Sequence, residues 1–264
     1  MPFPEHQNRW TVFLRLLLLI PQYIVLAVLS IVAVVTAIVG WFAALVLGRL
    51  PSPIRGFLTG FLRYDTRVNA SMMLLTDRYP PFRLGEVAGY PVRIEIQPVH
   101  LNRLAVFFRI LLMIPAMIIQ AIVSAGWWSV AFISWLVVLI MGRMPEPLFE
   151  ATSAILRYRM RLGAYSLMLA SSYPKRLFGD APDAAWSASA ASAQPVAAGK
   201  GPDEMTVGAT QTAARSATRP LRVGTAGKVL IGVFIVLGLG SVAANSANWS
   251  MDDDDDSASA PAVP

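Results

Sequence analysis

The sequence predicts an all-α integral membrane protein made of two tandem repeats, and three observations predict it. Of its 264 residues 55% are hydrophobic and only 14% charged, with a mean hydropathy of +0.55, a balance that soluble domains do not reach. Displacing the chain by 94 positions lays residues 4–80 on residues 98–174 without a gap, and 29 of the 77 paired positions are identical. Arginines flank the apolar runs, yet no charged residue lies between Arg15 and Arg49.

The duplication is carried by its punctuation. "NRWTVFLRLLLLIP" at 8–21 answers "NRLAVFFRILLMIP" at 102–115, and "WFAALVLGRLPSP" at 41–53 answers "WLVVLIMGRMPEP" at 135–147. Matched leucines alone would mean little; matched Arg, Trp, Gly and Pro in one register mean common descent of the two halves.

Each repeat is expected to open with a transmembrane hairpin. Residues 12–47 form an apolar stretch that, as one helix, would be roughly 54 Å long, well beyond the ~30 Å hydrocarbon core. Folding back gives two short spans, with turns near residues 30–36 and, in the second copy, at "SAGWWS", 124–129. The hairpins are placed at about 10–48 and 104–142. Arginine clusters at both ends of each run would then share the cytoplasmic side, as the positive-inside bias favours. A re-entrant hairpin that does not fully cross is the alternative.

Arg15 and Arg109 lie six residues inside Arg9 and Arg103, close enough for their guanidinium groups to reach the interface along the membrane surface. Pro21 and Pro115 are expected to kink the first helix of each hairpin. Gly48 and Gly142, each followed by paired prolines, are structural stops. Beyond them come helices at about 53–77 and 147–171. In the first, Arg55, Thr59, Arg63 and Arg67 fall four apart on one stripe; Arg157 and Arg161 repeat the device. An amphipathic helix lying in the inner-leaflet interface is expected, its arginines among anionic lipid head groups. A helix packed on a protein partner has the same pattern.

The first repeat thus covers 1–82 and the second 98–178. Between them, in 83–97, Val92, Ile94 and Ile96 alternate with Arg93, Glu95 and Gln97, the period of a short half-exposed strand. Residues 179–227 turn to Ala, Ser, Pro, Gly and Thr and predict a disordered linker. A last apolar run gives a transmembrane helix at 228–249, in which Gly232, Gly238 and Gly240 permit close helix contact. The tail, 250–264, carries five consecutive aspartates and is expected to be disordered. Basic residues before this helix and aspartates after it place the N-terminus and linker in the cytoplasm of a multi-pass cell-membrane protein, the acidic tail outside.

The combination "YPVRIEIQP", "NR…R…IP", "W…L…GR.P.P", "LRY…R" and "TDRYPPF" resembles the membrane family of unknown function DUF4389, here in two tandem copies over about residues 4–178. The second copy departs from the pattern, ending "SSYPKRLF". The resemblance implies membrane location and repeat topology, and no reaction.

Chemistry is sparse. The absence of cysteine excludes disulfides and thiolate chemistry. There is no glycine-rich phosphate loop, "GxSxG" elbow or "HExxH". His6 and His100 are equivalent, but supply only two ligands. No catalytic residue, cofactor or metal is therefore expected, and the basic pI of about 10 reads as membrane anchoring rather than nucleic-acid binding. The candidate lipid- or partner-binding residues are Arg15, Arg109, Arg63, Arg67, Arg157 and Arg161. The function expected is non-enzymatic: scaffolding of a membrane partner or homo-oligomer, or organisation of anionic lipid at the cytoplasmic leaflet. The alternatives are a small transporter or channel built of two parallel repeats with a site between them near Pro21 and Pro115, and a lipid-modifying enzyme using His6 and His100.

Overall fold

The computed structural model describes residues 7, 9–87, 89–91, 94, 103–171, 173–174, 177 and 223–258. The described residues are helical: α1 (Arg9–Leu47), α2 (Ser52–Met72), a short α3 (Arg103–Phe107), α4 (Arg109–Met141), α5 (Glu146–Ser166) and α6 (Thr225–Ala258). Among them α1, α4 and residues Thr225–Asn245 of α6 are long and apolar enough to cross a membrane.

The expected hairpins are instead single helices of 39 and 33 residues. Nothing in residues 30–36 forces a turn. Ser30 donates to Ala27 O (2.7 Å) and Thr36 to Val32 O (2.7 Å), so both hydroxyls are absorbed by the helix that contains them. In the second copy Ser129 donates to Ala125 O (3.0 Å). Gly126, expected at a turn, serves a close helix crossing: a Cβ there would land on the Phe234 carbonyl of α6, as one at Gly238 would land on Ile122 O of α4. Pro21 and Pro115 sit inside the continuous helices without ending them. Arg9 and Arg49 therefore stand at opposite ends of a helix about 58 Å long. The inference that both lie on one side of the membrane loses its basis.

The hairpin that does form pairs α1 with α2. Gly48 and Gly142 adopt left-handed φ of 68° and 65°, and their N–H groups close the preceding helices on Ala44 O (2.9 Å) and Val138 O (2.8 Å). The Pro-containing turns then send α2 and α5 back. Leu50 and Ile54 pack on Gly40, Tyr64 donates to the Gln22 amide oxygen, and Ser71 reaches the level of Arg15. These helices, expected to lay one face on lipid, are packed inside the bundle. Leu58, Leu62, Tyr64, Arg67 and Val68 of α2 are buried, as are Ile155, Leu156, Tyr158 and Leu162 of α5. The two polar helices form the interior, while α1, α4 and α6 carry outward the large exposed apolar side chains, from Phe13 to Leu47, from Ile110 to Met141 and from Val229 to Val242.

The repeats are antiparallel to each other, not parallel. Trp135 Nε1 donates to Val12 O (2.9 Å) and the equivalent Trp41 Nε1 to Val106 O (3.1 Å), so the end of each long helix meets the start of the other repeat. Gln7 N donates to Gly142 O (2.9 Å). At the centre, Asp65 and Arg159, one position of the repeat, meet each other. Such reciprocal contacts define a pseudo-twofold axis across the helices.

Among the described residues there is no strand. Most of the expected strand, like His6 and His100 and linker residues 179–222, lies outside them; Ile94, which is described, has irregular backbone. The last helix begins at Thr225 and continues through the aspartates to Ala258, so that stretch is not the irregular tail expected. No glycine or proline interrupts residues 241–260.

Candidate functional site

Helices α2 and α5 end alike. Leu75 N bonds Ala70 O (3.0 Å) and Leu169 N bonds Ala164 O (2.9 Å), with Leu74 and Met168 left-handed at φ 60° and 59°. Against each end an arginine is aimed from the long helix. Arg15 Nη1 donates to Ser71 O (3.1 Å) and Thr76 O (3.0 Å), and Nη2 to Asp77 Oδ1 (2.8 Å). Arg109 donates to Tyr165 O (2.8 Å) and Ala170 O (3.1 Å), the equivalent carbonyls. Where the first repeat supplies Asp77, the second has Ser171, and the Arg109 guanidinium instead lies 4.3 Å over the Tyr165 ring.

Arg15 and Arg109 are therefore 6% and 3% exposed and do not reach toward lipid phosphate: their terminal nitrogens donate to carbonyls at the C-terminal end of a buried helix and, for Arg15, also to Asp77. The other expected lipid-binding arginines are engaged as well. Arg67 is buried and donates to Gly85 O (3.0 Å) and Arg83 O. Arg63 bonds Ile94 O (3.3 Å) and pairs with Glu86 (3.2 Å). Arg157 and Arg161 are half-buried on α5, and neither is free. Exposed arginines stand elsewhere: Arg78 and Arg83 in the loop after α2, and Arg9, Arg49, Arg103 and Arg143, two repeat-equivalent pairs shared between the two ends of the bundle. In the loop after α2, Tyr90 is buried with its hydroxyl on Arg78 O (3.2 Å). Loss of hydration pushes its hydroxyl up to about 12, against the pull of Arg67, Arg15 and Arg78.

A cleft opens where the pseudo-twofold axis passes. It measures about 530 Å³ and is walled by Tyr23, Leu26 and Ser30 of α1 and by Met113, Met117 and Gln120 of α4, with α2 and α5 as its floor. It begins two residues beyond Pro21 on one wall and two before Pro115 on the other. Arg159 Nη2 and Asp65 Oδ1 pair across the floor at 3.3 Å, and Asn69 holds the same oxygen at 3.0 Å. Two buried polar atoms here have no partner among the described residues, the Gln120 amide oxygen and Arg159 Nε. Gln120 spends its amide nitrogen on Ser124 Oγ (2.7 Å).

None of Asp65, Arg159, Gln120 or Tyr23 stands out in the sequence alone. The signal was present nevertheless: aligned, "LRYDTR" and "LRYRMR" put an acid against a base at one position. An antiparallel twofold brings a position near its axis against its own equivalent, so that mismatch is a complementary pair. Among the described residues no group of three His, Cys, Asp or Glu is placed to hold a metal ion.

Fold and cleft together define an all-helical protein of two inverted repeats, apolar on its outside and polar at its centre, of the class that membranes accommodate. The chain belongs to the family described as "Domain of unknown function (DUF4389)", whose model matches residues 9–83 and again 103–177. Both matches begin where the first helix of a repeat begins. No curated protein and no solved structure matches the chain.

Proposed function

We propose that this is a non-enzymatic integral membrane protein that takes a small membrane-dissolved molecule into the cleft between its repeats. One observation carries the reading: an acid–base pair and two unpartnered polar atoms line a cleft halfway along helices whose outer faces are apolar. Ionisable groups at such depth are costly and mark sites. Inverted repeats with a central site are a recurrent transporter plan, so passage of the molecule across the membrane is the natural extension.

In this reading α1, α4 and α6 cross the cell membrane. A helix of about 58 Å exceeds the ~40–45 Å of a bilayer with its head groups, and a tilt of about 40° reconciles the two. The start of α6 is held at the end of the bundle that carries Gln7, through Gly224 N to Glu150 (2.8 Å). This arrangement supports an N-terminus and linker on one side of the membrane with the acidic end on the other, and Lys228 at the start of α6 favours the cytoplasm for the first.

The test maps contacts with photoactivatable bifunctional lipids in native-lipid discs, followed by peptide sequencing. Labels are expected to concentrate at 23–30 and 113–120. Labelling spread evenly along the apolar faces of α1 and α4 refutes a dedicated site.

A second reading, organisation of anionic lipid with or without a membrane partner or second copy, is favoured by exposed Arg9, Arg49, Arg103 and Arg143. Glutamate at all four positions is then expected to remove anionic lipid retained through extraction; unchanged retention counts against it.

A further inference from the structure

The geometry points to an uncharged, hydroxyl-bearing lipid as the occupant of the cleft between Asp65 and Arg159, a proposal that rests on the cleft being a binding site as proposed above. The argument is one of leftover valences. The two full charges at the site already face each other, Arg159 Nη2 on Asp65 Oδ1, with Asn69 donating to the same oxygen. An incoming phosphate or carboxylate would have to break that pair or remain uncompensated in a setting where hydration is scarce. An ammonium head meets the same obstacle from the other side.

Among the fully buried side-chain atoms at the site, one donor and one acceptor are still wanting. The Gln120 amide oxygen needs a hydrogen-bond donor, and Arg159 Nε needs an acceptor. A hydroxyl is both at once, donating its proton while its lone pairs accept. The walls suit the remainder of such a molecule, for Leu26, Phe61, Met113 and Met117 supply apolar and polarisable surface for a chain or ring. Depth agrees as well: the cleft lies near the middle of α1 and α4, where neutral lipids dissolve and charged head groups do not. Two sources share this chemistry, a diacylglycerol with its free hydroxyl and a prenylated quinol or alcohol.

The experiment uses the full chain in phosphatidylcholine nanodiscs doped in turn with dioleoylglycerol, decylubiquinol, oleate or dioleoylphosphatidylglycerol, and reads bound lipid by native mass spectrometry. Retention of one molecule of a hydroxyl lipid per chain is expected, whichever of the two wins naming the source. Gln120→Leu should lower it about tenfold, the worth of one well-made hydrogen bond in an apolar setting. Preferential retention of oleate or phosphatidylglycerol, or hydroxyl-lipid retention indifferent to Gln120→Leu, overturns the proposal. Ala27→Trp, on the cleft rim, separates the two levels of failure. If it displaces a charged lipid, the site stands and its assigned class falls; if it changes retention of no probe, the site itself falls. Melting temperatures close to that of the parent protein show that Gln120→Leu and Ala27→Trp remain folded.

Discussion

Replacing Arg15 separates a buried helix cap from a lipid anchor. Its guanidinium holds two backbone carbonyls and Asp77 while its side chain is 7% exposed. In Arg15→Met the Thr76 carbonyl loses its side-chain donor inside the bundle, at about 1–3 kcal/mol, and the Ser71 carbonyl falls back on the Leu74 N–H (3.2 Å), a loss of about 1 kcal/mol. Asp77 loses the guanidinium too, but with 31% of its side chain exposed it recovers part of its hydration. The total is about 3–5 kcal/mol, the usual cost of removing one side of a buried pair. Arg109→Met takes the arginine donor from Ala170 O, leaves Tyr165 O on the Met168 N–H alone (3.1 Å) and involves no carboxylate, so about 2–4 kcal/mol is expected. Adding Asp77→Asn to Arg15→Met should recover about 1 kcal/mol. The decisive variant is Arg15→Lys. An ammonium keeps the charge but cannot span both carbonyls and the carboxylate as a planar fork does, so a cost of about 2 kcal/mol is expected. Thermal unfolding in lipid nanodiscs, followed by tryptophan fluorescence, measures the series. An Arg15→Lys variant within about 0.5 kcal/mol of the parent, with Arg15→Met below about 1 kcal/mol, would refute the cap and return Arg15 to the lipid surface.

Three further outcomes are expected. Gly126→Val should part α6 from α4, because its side chain meets the Phe234 backbone rather than a yielding side chain. As the chain has no cysteine, loss of crosslinking between cysteines introduced on α4 and α6 reads this without background. Trp41→Phe and Trp135→Phe should each cost about 1 kcal/mol by melting, and nearly equally, since each removes the same hydrogen bond from symmetric seats. Finally, Tyr90 keeps its proton to about 12 when folded, whereas an unfolded tyrosine releases it near 10. The folded state therefore binds more protons between those values, and stability falls as pH rises through that window. Alkaline melting curves should lose this component in Tyr90→Phe, and difference absorbance between the two proteins should place the step.

Much of this protein is written in its sequence, because the relevant physics is local or repeated. A 94-residue displacement exposes the duplication without any fold, and apolar composition identifies the helices long enough for a membrane. Gly48 and Gly142 were legible as stops because a chain leaving a helix through a left-handed residue favours glycine. The starts of the helices after them were legible to within one residue, although each helix ends five residues earlier than expected. Their surroundings were not. An arginine stripe reads the same whether it faces lipid phosphate or the carbonyls of an enclosed loop, so Arg67 was assigned to the interface though it is buried. Only tertiary contacts distinguish the two. Continuity of α1 was likewise undecidable from hydropathy, since a hairpin and a single tilted helix bury the same letters in the same lipid. Relative direction was decided by Trp41 and Trp135, whose ring N–H groups bond the far repeat. That direction made the site: by setting the central position of α2 against its own copy in α5, the antiparallel packing turned one mismatch between the repeats, Asp65 and Arg159, into an ion pair on the axis.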